Sequence, residues 1–221
     1  MTHNAIYVYA IARRGGRDFR GLRGLADAPV ERISVGDLEA IVSRCERASV
    51  QVTEEALVRH DAVCAAVMED RAVAPARFGS AFADEESVRR EIVARREELR
   101  AILVRLEGRV ELGVRVLRPA ASEKDVQPSS GSAYLHARLE ARQEALAAAD
   151  HVEERLSRFA IARRSRALET PELVLSASFL VERDTVEAFR AAVEELDRAR
   201  PDLDLVCTGP WPPYNFADGS E

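Results

Sequence analysis

Between Val110 and Val116 every second residue is apolar, with Val110, Leu112, Val114 and Val116 set against Glu111, Gly113 and Arg115. A period of two sends successive side chains to opposite faces of a strand, so this run predicts a strand with one buried face. The period then changes. Leu135, Leu139, Leu146, Ala149, Leu156 and Phe159 recur at helical intervals and predict a long alanine-rich helix from Tyr134 to about Phe159. Leu173–Val181 reads as a buried strand. Val186, Phe189, Val193 and Leu196 form a helical stripe opened by a capping box of Asp184 with Glu187. Leu203, Leu205 and Cys207 alternate again in a final strand. Residues 161–168 read as either a helix end or a polar edge strand. With the strand, the order is β-α-β-β-α-β, the ferredoxin-like arrangement of a sheet carrying two helices on one face. Pro119–Ser132 reads as a linker, and Thr170-Pro171 breaks the chain.

The first half is patterned independently. Ile6–Ile11 is β-branched and aromatic and predicts a strand. Arg13–Gly24, with four glycines among arginines, reads as a mobile, solvated loop. Val30–Val35 and Leu38–Ser43 flank Gly36-Asp37 and predict a hairpin. Thr53 caps a helix running to about Asp70, with Leu57, Cys64, Val67 and Met68 inward. Ala72–Ala74 is a short apolar run that Pro75 ends, and residues 74–82 form a loop with two aromatics. Asp84 caps the next helix. Its stripe of Val88, Ile92, Leu99, Leu103 and Leu106 is interrupted near Arg95, and Gly108 closes it. The fold class is therefore α/β (α+β): two small mixed domains, residues 1–108 and residues 109–221. The second is ferredoxin-like and carries the tail 209–221.

At 221 residues and 47% hydrophobic content the chain can bury two cores. Charged residues make up 32%, above the usual quarter, which suits solvated helix faces. A net charge of −6 does not point to nucleic acid. Lys124 is the only lysine among the basic residues; arginine suits bidentate pairing with carboxylates. Cys45, Cys64 and Cys207 lie far apart with no metal-ligand spacing, and read as free thiols. Absence of an apolar targeting or membrane-spanning run makes the cytoplasm the expected location.

Chemistry-bearing motifs are sparse. His60-Asp61 are adjacent on a helix, about 100° apart, and do not jointly hold a metal; His60 reads as a surface or helix-packing residue. The paired carboxylates Glu54/Glu55, Glu85/Glu86, Glu97/Glu98, Glu153/Glu154 and Glu194/Glu195 lie on predicted helices and read as solvated faces. Neither a nucleophile elbow nor a phosphate-cradling glycine loop is present. No catalytic residue, cofactor or metal site is expected, and the chain reads as a non-enzyme.

Two segments are harder to assign to packing alone. Arg77 and Phe78 precede Gly79 in the loop 74–82, which Phe82 closes. In Gly209-Pro-Trp-Pro-Pro-Tyr-Asn-Phe216, three prolines restrain φ within four residues and display Trp211, with Tyr214 and Phe216 following. Such a segment is either a lock onto its own fold or an anchor for a partner. The expectation here is mainly a lock by Trp211 and its prolines onto the chain's own fold, with a bridge across the two domains as one form of it. The candidate partner-binding residues are Arg77, Phe78, Phe82, Trp211, Tyr214 and Phe216.

The GPWPPYNF tail resembles the closing motif of the gas vesicle protein F/L family (GvpF/GvpL). In order along the chain, Ile6–Ile11 looks like the family's opening strand, and Ala74–Phe82 is similar to its central P-x-R-F-G-x-x-F segment. Glu111–Val116 resembles its middle strand, Ala133-Tyr-Leu135 the start of its long helix, and Leu175–Val181 its later strand. Ser176 and Ser178 depart from the commoner Asn and Ala. The resemblance covers nearly the whole chain. It implies an accessory protein of gas vesicle formation with two α/β domains and no cofactor. It further implies contact with the small hydrophobic shell protein and other accessory proteins, with nucleation or assembly as the task. Neither nucleic acid nor membrane is an expected partner, and the location implied is the gas vesicle within the cytoplasm. The competing readings are a ligand-sensing ferredoxin-like module without catalysis, and an enzyme using His60 or the carboxylates.

Overall fold

A run of apolar and aromatic residues from Ala5 to Ala10, each at most 5% exposed, forms the middle of the first sheet. The computed structural model describes residues 4–19, 21–46, 50–118, 131–166 and 173–218. Strand β1 (Asn4–Arg13) pairs antiparallel with β3 (Leu38–Glu46), which pairs with β2 (Glu31–Val35). The β2–β3 connection is the two-residue Gly36-Asp37 turn, with Gly36 at φ +64°, a region glycine enters without steric cost. On its other edge β1 pairs with β4 (Val73–Pro75) and β5 (Ala81–Phe82), so the order is β2-β3-β1-β4 with β5 also on β1.

Three helices accompany this sheet. Helix α1 (Glu54–Met68) is capped by Thr53, whose Oγ1 accepts from the Ala56 N–H. Its inward face is His60, Val63, Cys64, Val67 and Met68. Leu57, expected inward, is 44% exposed, because the buried arc is centred on His60 and Cys64. Asp84 caps α2 (Glu85–Ala94), accepting from the Ser87 N–H at 2.7 Å. The expected interruption is a break at Arg95 (φ −107°, ψ 18°), after which α3 (Arg96–Leu106) continues. Val88, Ile92, Leu99, Leu103 and Leu106 are all buried.

The arginine-glycine loop after β1 is hydrogen-bonded to Asp70 and Arg71, just beyond α1. The Arg17 N–H donates to Asp70 Oδ2 at 2.8 Å, and Arg71 donates to the carbonyls of Arg13 and Gly15. Arg71 also pairs with the buried Glu39 at 2.8 Å, and the Arg32 guanidinium lies 4.6 Å from the centre of the Phe19 ring.

The second sheet is built from β6 (Arg109–Leu117), β7 (Ala162–Arg166), β8 (Leu173–Glu182) and β9 (Asp204–Trp211), in the order β7-β8-β6-β9. Helix α4 (Gly131–Ser157) follows β6, and α5 (Val186–Ala199) follows β8. Residues 162–166 are thus the polar edge strand, paired antiparallel with β8. All four alternating residues of β6 are buried, as is the stripe of α5. Along α4, Ala148, Ala149, Val152 and Leu156 are buried, whereas Leu139 and Leu146 are 57% and 46% exposed, contrary to the expected stripe. The Asp184–Glu187 capping box does not form. A 3-10 turn (Arg183–Thr185) leads into α5, and no side chain caps it. Most of the linker expected over Pro119–Ser132, and the Thr170-Pro171 break, lie outside the described residues.

The chain divides into two compact units, Met1–Val110 with Trp211–Glu221, and Glu111–Pro210. The expectation from the sequence was a boundary at residue 108 with the tail in the second domain. The tail differs: from Trp211 it belongs with the first unit rather than closing the second, because its buried groups find their partners on elements of the first. Among the described residues no helix is long and apolar enough to cross a membrane.

Candidate functional site

Strand β1 sends Tyr7 and Tyr9 to one face, where their rings meet edge-to-face with centroids 4.9 Å apart. Both are fully buried, so each hydroxyl needs a partner. The Tyr9 hydroxyl accepts from the Leu25 N–H at 2.8 Å, and a Cβ at Gly24 would overlap it, which explains glycine there. Tyr7 finds its partner on α1: its hydroxyl lies 2.8 Å from His60 Nδ1. The other ring nitrogen, Nε2, is 3.1 Å from the Ala76 carbonyl, which can only accept. Nε2 therefore carries the proton, Nδ1 accepts from Tyr7, and the Tyr7 oxygen in turn accepts from the Gly79 N–H at 3.2 Å. One buried histidine thus ties helix α1 to β1 and to the loop 76–79. Burial holds its pKa down at about 4, keeping it neutral.

One turn along the same helix face, the Cys64 thiol donates to the Tyr9 carbonyl at 3.3 Å. Its sulfur lies 3.7 Å from His60 Nε2, but burial pushes the thiol up to about 12. Both imidazole nitrogens are engaged and the thiol stays protonated, so the pair is not an activated nucleophile. Among the described residues no group of three or more His, Cys, Asp or Glu is placed to hold a metal ion.

The loop 76–82 turns through Gly79 at φ +92°, with the Ser80 hydroxyl donating to the Arg77 carbonyl at 2.7 Å. Phe78 packs edge-on against Tyr7 and His60, at centroid distances of 6.0 and 5.7 Å. The tail arrives at the same place. Pro212 and Pro213 are buried, and a 3-10 turn (Tyr214–Phe216) follows. The Tyr214 ring lies 5.9 Å from His60, and its hydroxyl donates to Asp61 Oδ1 at 3.2 Å. Burial raises the Asp61 carboxyl, and the Tyr214 bond opposes that rise. Phe216 is 3% exposed. From α3, Arg105 donates to the carbonyls of Phe216 and Asp218 at 2.6 and 2.9 Å, while Arg77 reaches the Asp218 carboxylate at 3.8 Å.

Loop, tail and the α2–α3 pair enclose a cleft of about 370 Å³ within the first unit, within the size range of binding pockets. Its apolar lining includes Val8, Ile11, Phe82, Ile92, Leu99 and Tyr214. Arg77, Glu91, Arg95 and Asp218 contribute its charged groups.

Of the residues singled out in the sequence, Arg77, Phe82 and Tyr214 line this cleft. Phe78 packs beneath the loop and Phe216 anchors the tail. Trp211 is 43% exposed, so the lock is made by Pro212, Pro213, Tyr214 and Phe216 rather than by Trp211. His60 takes the helix-packing place the sequence offered it, but its bonds, and the parts played by Asp61, Tyr7 and Arg105, were not read from the sequence. The available signal was the i, i+4 spacing of His60 and Cys64 on a face otherwise filled by Val63, Val67 and Met68.

The family model for "Gas vesicle synthesis protein GvpL/GvpF" matches residues 5–218. Gas vesicle protein F2 of Halobacterium salinarum is 33% identical over 99% of this chain and 94% of its own length. Gas vesicle protein L of a Streptomyces species is 31% identical over 100% of this chain and 95% of its own. The crystal structure of GvpF from an Anabaena species superposes with a TM-score of 0.82 at 18% identity, covering 99% of this chain and 100% of that one. GvpF from Microcystis aeruginosa gives 0.78 at 19% identity, covering 97% and 99%. At these identities the two structures establish the fold.

Proposed function

The chain belongs to the gas vesicle synthesis protein GvpL/GvpF family, and from that premise we propose that it is a non-enzymatic accessory protein that binds the small hydrophobic shell subunit and assists nucleation or assembly of the vesicle. Membership itself implies a role in gas vesicle formation. The finer reading is supported by one observation above others. Two segments more than a hundred residues apart, Arg77–Phe82 and Tyr214–Asp218, come together on one unit around an apolar cleft. Their polar groups are engaged by the elements beneath them: Tyr214 by Asp61, the Phe216 and Asp218 carbonyls by Arg105, and the Gly79 N–H by Tyr7.

The physical task fits such a surface. A shell subunit that polymerises through apolar faces is prone to premature association, and a partner that covers one of those faces delays it. On this reading the protein works in the cytoplasm and at the growing vesicle, with the shell subunit and other accessory proteins as its partners.

The direct test is a pull-down of purified shell subunit by the full chain, paired with the gas vesicle yield of a strain lacking it. Capture of the subunit together with a collapsed yield is the expected result. Failure to bind at any salt or protein concentration, with normal yield in the deletion strain, would overturn the proposal.

A further inference from the structure

The cleft of the first unit is open and apolar in its floor, and its mouth carries two arginines and two carboxylates, Arg77, Arg95, Glu91 and Asp218. Val8, Val88, Ile92 and Leu99 form the floor, each at most 6% exposed, with Ile11 and Phe82 on the walls. Its volume is about 370 Å³. Release of water from an apolar surface of this kind favours an aliphatic occupant.

The charged groups at the mouth are not equivalent. Arg95 is already satisfied: its guanidinium makes two 2.9 Å bonds to Glu98 and lies 3.6 Å from Glu91. Arg105, behind the cleft lining, is turned to the tail carbonyls. Arg77 differs from both, with a side chain 91% exposed and an ion pair to Asp218 at a long 3.8 Å. A guanidinium so exposed, at the lip of an apolar cleft, is suited to a carboxylate carried in beside an aliphatic group. Pro75 also deprives the neighbouring edge strand β4 of one backbone donor, which disfavours addition of a further strand there. A helical segment that inserts side chains is the better match.

We infer that this cleft seats an aliphatic, acid-bearing helical segment of the shell subunit, with aliphatic side chains on the Val8–Ile92–Leu99 floor and a carboxylate on Arg77. The inference rests on the proposed binding of the shell subunit and adds the place and chemistry of the contact. The tail forms one wall through Tyr214 and Ala217, so the seat exists only when the tail is docked.

The test uses the full chain with purified shell subunit as the probe. A photo-crosslinker, p-benzoylphenylalanine, replaces Phe82 on the cleft wall and, as a control, the exposed Leu146 of the second unit. Two further variants, Ala217→Trp to fill the cleft and Arg77→Glu to reverse the charge at its lip, are compared for affinity and melting temperature. The inference expects cross-linking from position 82 and not from 146. Each variant should lose about tenfold or more in affinity, as central contacts of an interface do. Arg77→Lys should recover part of that loss. Should Ala217→Trp unfold, Arg77→Glu on its exposed side chain still decides the matter. Cross-linking from 146 alone, or wild-type affinity in Arg77→Glu, would overturn the cleft as the seat while leaving shell binding intact. Absence of any capture of the shell subunit would bring down both.

Discussion

His60 shows how much one buried polar residue can organise. It sits in an apolar helix face, 3% exposed, and each nitrogen has a partner. Leaving such partners unmade costs about 1–3 kcal/mol. His60→Leu strands the Tyr7 hydroxyl and the Ala76 carbonyl, and should destabilise the first unit by about 2 kcal/mol, read by denaturant unfolding. The same residue makes stability depend on pH. Its folded-state pKa of about 4 lies below the usual 6.5, so the unfolded chain takes up the proton first. Its contribution is full above pH 6.5 and is lost as pH falls toward 4, by roughly 3 kcal/mol in all. His60→Gln retains a donor and an acceptor but takes up no proton in this range. Unfolding of both proteins across pH 4–7 should show the wild type losing stability relative to the variant; parallel curves would refute the assignment. The sequence left this histidine as either a surface or a helix-packing residue, and its partners lie 53 and 16 residues away.

At the scale of elements, the tail is the clearest case of a segment whose identity and role separate. Its prolines and aromatics were legible as a stiff motif, but which of them is buried was not. Phe216 is buried and Trp211 is 43% exposed. Phe216→Ala should therefore cost about 3–5 kcal/mol, as expected for a buried phenylalanine, and Trp211→Ala markedly less. Equal losses in thermal unfolding would contradict this ordering. Arg105→Ala removes two bonds to the tail carbonyls and should speed amide hydrogen exchange at residues 214–218 by about tenfold, with little effect on β8. The helices were read more completely. Asp84 and Thr53 act as caps, the break falls at Arg95, and the stripes of α2, α3 and α5 are buried, because caps and stripes are local properties of a few turns. The stripe of α4 was read too generously: Leu139 and Leu146 keep the helical spacing and still face solvent. Spacing shows that side chains share a face, and a packed neighbour is needed to bury that face.

For the whole molecule, the decisive feature is that the first unit is assembled from residues 1–110 and 211–221, while the second is one continuous stretch. Ending the chain after Pro210 should damage the unit distant in sequence. Hydrogen exchange should rise across β1 and α1 and stay unchanged in β8, whereas the reverse pattern would show that the tail serves the second unit. The first stretch of the first unit ends at Val110, beside Gly108 and the start of the alternation in β6. The return of the tail left no such mark. Nothing in Tyr214 or Phe216 names Asp61 or Arg105 as its neighbour.

The sequence by itself determined most element types and the family, through periodicity, caps and two distinctive segments, but it read the short strands β4 and β5 as an apolar run and a loop. Those signals are carried by residues near one another along the chain. Only the tertiary structure decided that Arg77–Phe82 and Tyr214–Asp218 flank one cleft, that His60 is the bond between helix, strand and loop, and that Trp211 remains half open to solvent. Each of those outcomes depends on contacts between distant parts of the chain, and burial and pKa follow from such contacts rather than from residue type.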